Sequence, residues 1–189
     1  MAWGDSLTFG VGTTGGLTYP ADLQALVKYP VANLGVASET STQIATRMLA
    51  DTGRHRWPTI IWAGRNNFSS PSTVKADIAS MVASLGHTNY MVLSVLNACS
   101  VTTEWAGGAD YTTITQLNSD LAAIYGAHFV DVRSYLVSLY DPNQAQDVID
   151  HGHDCPPTSL ISSGVHLNNT GYQDVANLVY ANRAELALP

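Results

Sequence analysis

The sequence predicts an α/β fold, because short apolar runs typical of buried strands alternate with stretches of helical spacing. The strand-like runs lie at Met1–Trp3, Tyr29–Leu34, Thr59–Ala63, Tyr90–Val95 and His128–Val132. Between and after them, residues three or four positions apart form apolar stripes: Val74, Ile78, Met81 and Leu85; Tyr111, Ile114, Leu117, Leu121 and Ile124; and Tyr172, Val175, Val179, Asn182 and Leu186, in which Asn182 is the one polar member. This alternation predicts a parallel sheet with helices on both faces.

The length and composition favour one folded domain over residues 1–189. Apolar residues make up 46% and charged residues 12%, a balance that excludes a disordered chain. No repeat or low-complexity segment divides the sequence. The first predicted strand, Met1–Trp3, is shorter than an average strand, which is consistent with a chain cut from a longer protein.

The charge pattern argues against a nucleic-acid or anionic-membrane partner. The chain has 8 Lys and Arg against 15 Asp and Glu, a net charge of −7, and its cations are not clustered. No apolar run reaches the ~18 residues of a membrane span, and the first residues lack the pattern of a signal peptide. We therefore expect a soluble protein without a membrane span, either cytoplasmic or part of a secreted or virion-associated protein.

Polar residues follow the first four predicted strands, where a parallel sheet binds ligands. They belong to Gly4-Asp5-Ser6-Leu7, Ser38-Glu39-Thr40, Gly64-Arg65-Asn66-Asn67 and Cys99. Ser6 is the candidate nucleophile, since it follows a strand at a turn where Gly4 would permit an unusual backbone angle. The alternative is that Ser6 only caps a helix. The Gly-x-Ser-x-Gly elbow is absent, which disfavours an α/β-hydrolase.

Four blocks in order along the chain resemble those of the SGNH (GDSL-type) esterases and lipases. They are Gly4-Asp5-Ser6-Leu7, Asn33-Leu34-Gly35-Val36-Ala37-Ser38-Glu39-Thr40, Gly64-Arg65-Asn66-Asn67, and Ser163-Gly164-Val165-His166-Leu167-Asn168 followed by Gly171-Tyr172. We therefore expect a three-layer α/β/α sandwich with a five-stranded parallel sheet of flavodoxin-like order. The resemblance implies no metal and no other cofactor.

The resemblance also implies a role for each matching residue. Ser6 would be the nucleophile and His166 the general base. The backbone N–H groups of Ser6 and Ser38 and the side-chain amide of Asn66 would form the oxyanion hole. Ser38 replaces a family glycine, but a backbone donor survives that change if Ser38 can adopt the required backbone angles.

Ser163 departs from the family at the position of the triad aspartate. Three interpretations are open, and we favour the first. A backbone carbonyl near residue 163 holds the His166 Nδ1 proton, which gives a Ser–His dyad; Asp154 supplies the missing carboxylate; or the enzyme is crippled.

Several other residues on this edge are candidates for substrate contact. Arg65, Trp105 and Asp154 could bind substrate, although Arg65 could equally form a salt bridge with Glu39 or another acid. The loop from His151 to Pro157 does not have the spacing of a zinc site, so we assign no metal. We expect Cys99 and Cys155 to approach each other, either bridged or as free thiols.

These observations lead to a functional hypothesis. We expect a carboxylic ester hydrolase that acts through an acyl-enzyme on short-chain acyl or acetyl esters, with O-acetylated carbohydrate as a candidate substrate. Lysophospholipids and thioesters are alternatives within the same class. The alternative from another class is a catalytically weakened, carbohydrate-binding module of a larger assembly. The oligomeric state is left open.

Overall fold

A five-stranded parallel sheet forms the centre of the molecule in a computed structural model that describes residues 1–188. Its strands follow the order β2-β1-β3-β4-β5, which confirms the predicted flavodoxin-like arrangement. They are β1 (Ala2–Gly4), β2 (Asn33–Gly35), β3 (Thr59–Trp62), β4 (Tyr90–Leu93) and β5 (Phe129–Val130). All four pairings are parallel, so the carboxyl ends of the strands share one edge of the sheet.

Helices cover both faces of this sheet and complete the predicted three layers. They are α1 (Ser6–Phe9), α2 (Tyr19–Val27), α3 (Ser41–Ala50), α4 (Pro71–Leu85), α5 (Ala109–Tyr125), α6 (Val132–Ser138), α7 (Ala145–Gly152) and α8 (Asn169–Ala181). The core has two parts. One contains Leu23, Leu136 and Val175 of α2, α6 and α8, and the other contains Ile44, Ile78 and Leu117 of α3, α4 and α5. Strand residues alternate between them, since Ala2 packs in the first and Trp3 in the second.

Some predicted boundaries are wrong. The run from Tyr29 to Leu34 forms a strand only from Asn33, because a turn follows α2 and Pro30 has no N–H to donate to a ladder. The fifth strand ends at Val130 because Asp131 caps α6 by accepting a hydrogen bond from the Ser134 N–H at 3.0 Å. The last helix ends at Ala181, and a 3-10 turn follows over Arg183–Leu186.

A separate antiparallel hairpin joins the chain after α7 to the last helix. It consists of β6 (Ile161–Ser163) and β7 (His166–Leu167), in which Ser163 lies opposite His166. Asn168 ends the hairpin and caps α8 by accepting a hydrogen bond from the Gly171 N–H at 3.0 Å. Within residues 1–188, no helix is long and apolar enough to cross a membrane.

Candidate active site

Ser6 lies at the carboxyl end of β1, at the first position of α1. Asp5 caps this helix, with Oδ1 accepting a hydrogen bond from the Leu7 N–H at 2.9 Å. Gly4 does not have a positive φ, so the expectation of an unusual backbone angle at this position is wrong. Glycine is required there for space instead, because a Cβ would overlap the Thr8 side chain and a main-chain carbonyl of β3. The tight junction leaves the Ser6 side chain 6% exposed.

The hairpin brings His166 to Ser6 from the other end of the sequence. Nε2 of His166 lies 2.9 Å from Oγ of Ser6. Burial and then the positive charge of Arg65 lower the pKa of His166, and a hydrogen bond with the main chain of Ser163 opposes that shift. A bond that raises the pKa of an imidazole stabilises its charged form, so the Ser163 carbonyl is the acceptor.

Asp154 has other partners than His166. Its carboxylate lies 2.6 Å from Nη2 of Arg133 and accepts a hydrogen bond from the Tyr111 hydroxyl at 2.6 Å. These bonds lower the pKa of Asp154 against the opposing effect of its burial. The charged side chain that acts on the His166 pKa is Arg65 rather than a carboxylate.

Ser38 and Asn66 lie on the loops that follow β2 and β3, at the same edge as Ser6. Ser38 has a φ of 67°, in the left-handed region that glycine adopts more readily. Asn66 donates from Nδ2 to the Glu39 carbonyl at 2.8 Å, and the same nitrogen lies 3.4 Å from Oδ2 of Asp5. Glu39, which follows Ser38, therefore holds the Asn66 amide next to the turn that carries Ser6.

Asp5 is a buried carboxyl group beside Ser6, with 1% of its surface exposed. Burial raises its pKa to about 6, against the effects of the Leu7 N–H and the Arg65 charge. Arg65 thus acts on both Asp5 and His166, which puts one positive charge close to the site.

Arg65 itself forms an ion pair with Glu104 at 2.8 Å, and its guanidinium carbon lies 5.2 Å from the centre of the Phe68 ring. Glu104 is 3% exposed and also accepts a hydrogen bond from the Ala98 N–H at 2.7 Å. The salt-bridge alternative for Arg65 is therefore realised, with Glu104 as the acid.

Trp105 lies in the loop after β4, next to a disulfide. Its indole N–H donates to the Cys99 carbonyl at 2.7 Å, and its ring stacks on His153 at a centroid distance of 3.8 Å. Cys99 is bonded to Cys155, with their Cα atoms 5.6 Å apart, which confirms the expected approach of the two cysteines. The polar and ring contacts of Trp105 thus join the two loops that the disulfide connects.

The segment from His151 to Pro157, whose first two residues end α7, has structural partners. His151 stacks on Tyr140 and His153 on Trp105, at centroid distances of 3.9 Å and 3.8 Å. In the part of the chain that the structure describes, no group of three or more His, Cys, Asp or Glu side chains could hold a metal ion.

An ion pair that the sequence analysis missed supports the loop after β2. Arg47 of α3 pairs with Glu39 at 2.6 Å. The available signal was the eight-residue spacing between Glu39 and Arg47 across the start of α3. This spacing did not identify the pair, because Arg65 was an equally acceptable partner for Glu39. Arg133 was also missed, because nothing in its local sequence indicates a partner 21 residues later.

Comparison with known proteins identifies relatives of this chain. Residues 2–173 match the family described as GDSL-like lipase/acylhydrolase. No curated protein sequence matches the chain. Among solved structures, a protein described as lipolytic and of the G-D-S-L family from Desulfitobacterium hafniense has a TM-score of 0.72 at 20% identity, with 96% of this chain and 97% of that one covered.

Two further structures have the same fold. The lipase/acylhydrolase from Enterococcus faecalis has a TM-score of 0.70 at 17% identity, over 100% of this chain and 95% of that one. The psychrotrophic esterase EstA from Pseudoalteromonas sp. has a TM-score of 0.66 at 13% identity, over 98% and 96%. At such low identity these likenesses establish the fold.

Proposed function

The chain belongs to the GDSL-like lipase/acylhydrolase family, and from that membership we propose that it hydrolyses carboxylic esters through an acyl-enzyme on Ser6. The observation that carries this proposal is the 2.9 Å distance between Oγ of Ser6 and Nε2 of His166. A base within hydrogen-bond reach of a buried serine is the arrangement that nucleophilic catalysis requires.

In the proposed first step, Oγ of Ser6 attacks the ester carbonyl while Nε2 of His166 takes the Ser6 proton. The C=O bond becomes a C–O⁻ bond, which the N–H groups of Ser6 and Ser38 and the Asn66 amide stabilise. The imidazolium then protonates the leaving alcohol, and the bond between carbon and that oxygen breaks. Water repeats the sequence on the acyl-enzyme, releases the acid and restores Ser6.

His166 works in this proposal without a carboxylate. The Ser163 carbonyl accepts the Nδ1 proton and so selects the tautomer in which Nε2 is free to act as a base. A neutral carbonyl stabilises the imidazolium less than a carboxylate does. Arg65 adds a positive charge near the ring, so this dyad keeps the orientation of a triad and lacks much of its charge stabilisation.

Short acyl or acetyl esters are the proposed substrates, and O-acetylated carbohydrate is a candidate within that class. An apolar cavity of about 450 Å³ lies near the amino ends of the strands, where Leu23, Tyr29, Trp57 and Ile60 contribute to its wall. Ser6 follows the carboxyl end of β1, so this cavity is not placed to hold its acyl group. The low phenylalanine content, three residues in all, is consistent with a short acyl group.

A binding module without turnover is the second candidate, and Ser163 at the acid position favours it. Hydrolysis of p-nitrophenyl acetate separates the two. We expect turnover that Ser6→Ala abolishes, whereas equal rates for the parent and the variant would reject the esterase. A series of acetate, butyrate and octanoate esters together with acetylated sugars would then define the acyl and alcohol groups, and lysophospholipid and thioester substrates test the other members of the class.

A further inference from the structure

Arg47 connects the two strands and the loop that carry the site. The guanidinium donates hydrogen bonds to the Glu39 carboxylate, with Nε 2.8 Å from each oxygen and Nη2 2.6 Å from Oε2. Nη2 also donates to the Leu34 carbonyl of β2 at 3.0 Å and lies 3.4 Å from the Gly4 carbonyl of β1. One side chain of α3 thus contacts the nucleophile strand, its neighbour and the loop after that neighbour.

The loop segment that Arg47 holds supplies one remote donor of the proposed oxyanion hole and binds the other. Ser38, which would donate its N–H, directly precedes Glu39 and has left-handed backbone angles. The carbonyl of Glu39 accepts one proton from Nδ2 of Asn66 at 2.8 Å, and the second proton of that nitrogen is donated to Oδ2 of Asp5 over a longer distance of 3.4 Å, a contact that a bound oxygen would replace. A shift of Glu39 would therefore displace two donors together.

We propose that Arg47 is a positioning residue, which fixes the Ser38 N–H and the Asn66 amide for the transition state through its clamp on Glu39. This inference rests on the proposed esterase function. The pair has the properties the role needs, since the Glu39 side chain is only 14% exposed and the planar guanidinium reaches both carboxylate oxygens. Lysine would be a point charge without the fork that spans Glu39, Leu34 and Gly4.

The test compares Arg47→Ala, Arg47→Lys and Glu39→Gln with Arg54→Ala, which removes an arginine from an exposed surface pair with Asp51. Rates of p-nitrophenyl acetate hydrolysis are divided by the number of Ser6 sites that a p-nitrophenyl phosphonate titrates, so that unfolded protein does not count. We expect kcat of Arg47→Ala to fall by about 10- to 100-fold with little change in KM, because a small misplacement of donors weakens transition-state binding.

The control and the conservative variants sharpen this expectation. Arg54→Ala should keep the parent kcat, and Arg47→Lys and Glu39→Gln should lie between the parent and Arg47→Ala. A kcat per titrated site within about twofold of the parent, or a loss confined to KM, would overturn the proposal. If Arg47→Ala does not fold, the Arg47→Lys and Glu39→Gln results decide it by the same criteria.

A second readout does not depend on turnover. In ¹⁵N-labelled protein, the side-chain NH₂ signals of Asn66 are identified by their loss in Asn66→Asp. We expect Arg47→Lys to move them toward the position of a free amide while Arg54→Ala leaves them in place. A parent protein without Ser6-dependent turnover would refute the proposed function, and in that case unchanged Asn66 signals in Arg47→Lys would still refute the clamp.

Discussion

In the proposed dyad a backbone carbonyl holds His166, where the family pattern leads one to expect an aspartate at position 163, and this single difference has measurable consequences. The main chain of Ser163 orients the ring, while burial and the charge of Arg65 lower its pKa. A base with a lowered pKa remains neutral in more acidic solution. The acid limb of kcat/KM should therefore lie below the usual histidine range near 6.5.

Ser163→Asp should move that limb to higher pH, because a carboxylate beside the ring stabilises its charged form. In the dyad, the tautomer is already correct, so we expect the rate to rise by only about tenfold. The measurement is kcat/KM against pH for the parent, Ser163→Asp and Ser163→Asn, the last having the shape without the charge. A gain in kcat/KM above about a thousandfold would show that the parent enzyme is nearly inactive because it lacks a catalytic acid, and would reject the dyad.

Asp5 provides a second prediction at the scale of one residue. Its folded pKa of about 6 lies above the ordinary value near 3.9, so ionising it in the folded state is unfavourable. The resulting loss of stability develops as pH rises from about 4 to about 6 and is constant above that. Asp5→Asn should therefore raise the free energy of unfolding more at pH 8 than at pH 4.5, with a difference of about 2 kcal/mol.

Urea unfolding at the two pH values measures this difference and cancels any effect of the substitution that does not depend on pH. Asp120→Asn is the control with the opposite sign, because hydrogen bonds from Lys75 and Gln116 lower the pKa of Asp120. Its carboxylate stabilises the fold above its ordinary pKa, so that variant should lose stability to a similar extent at both pH values. Equal effects of Asp5→Asn at both pH values would contradict the assignment.

At the scale of an element, α7 has its polar and apolar faces reversed. Asp147 and Asp150 are 1% and 2% exposed, whereas Val148 and Ile149 are 45% and 50% exposed. The buried carboxylates bind the chain that leads to the hairpin. Asp147 accepts hydrogen bonds from the Ser159 N–H at 3.0 Å and its hydroxyl at 2.6 Å.

Asp147→Ala should therefore destabilise the protein far more than Val148→Ala. Removing the carboxylate takes away the hydrogen bonds from Ser159 and from the Asp141 N–H, and because bonds to a charged acceptor are strong we expect a loss of about 2–3 kcal/mol. The exposed Val148 should contribute less than about 0.5 kcal/mol. Free energies of unfolding in urea give both values, and a larger loss for Val148→Ala would show that α7 packs by its apolar side.

The same helix illustrates what periodicity can and cannot predict. Repeats of three and four identified α4 and α5, because their apolar side chains face the core. Short apolar runs separately predicted the strands whose carboxyl ends lie near Ser6 and Asn66. In α7 the buried side chains are the carboxylates of Asp147 and Asp150, and they accept hydrogen bonds from Ser159 and Thr158 later in the chain. No apolar repeat therefore marks the inner face of this helix.

The remaining differences have similar causes. Tyr29 and Val31 have strand-like side chains, but the turn after α2 and the missing N–H of Pro30 keep them out of the sheet. The ion pair between Arg47 and Glu39 forms only because α3 packs close to the loop after β2, and the local sequence does not encode the distance between them. The motifs predicted that Ser6 and His166 lie close together, and Oγ and Nε2 are 2.9 Å apart. Their chemical roles are proposals.

For the whole molecule, the disulfide joins the loop after β4 to the loop before the hairpin. Cys99 and Cys155 are 56 residues apart, and closing a loop of that length corresponds to about 4 kcal/mol in the chain-entropy account. Reduction, or the double change Cys99→Ser and Cys155→Ser, should lower the melting temperature. Heat unfolding with and without dithiothreitol measures the shift.

The double variant is the control for this experiment, since dithiothreitol should not change its melting temperature. Thiol titration of denatured, unreduced protein should find no reactive group in the parent. Two reactive thiols per chain, or equal melting temperatures for the parent with and without dithiothreitol, would contradict the bridge.

The distance along the chain between Ser6 and His166, 160 residues, links the site to the order of folding. β1 pairs with β2 and β3, and both of these strands are complete by residue 62. Ser6 can therefore reach its position at the end of β1 while the rest of the sheet has still to be synthesised. The base arrives only with the final hairpin, after a long and entropically unfavourable closure. A nascent chain would thus carry its serine unactivated, and recovery of activity during refolding should report the last long-range contact to form.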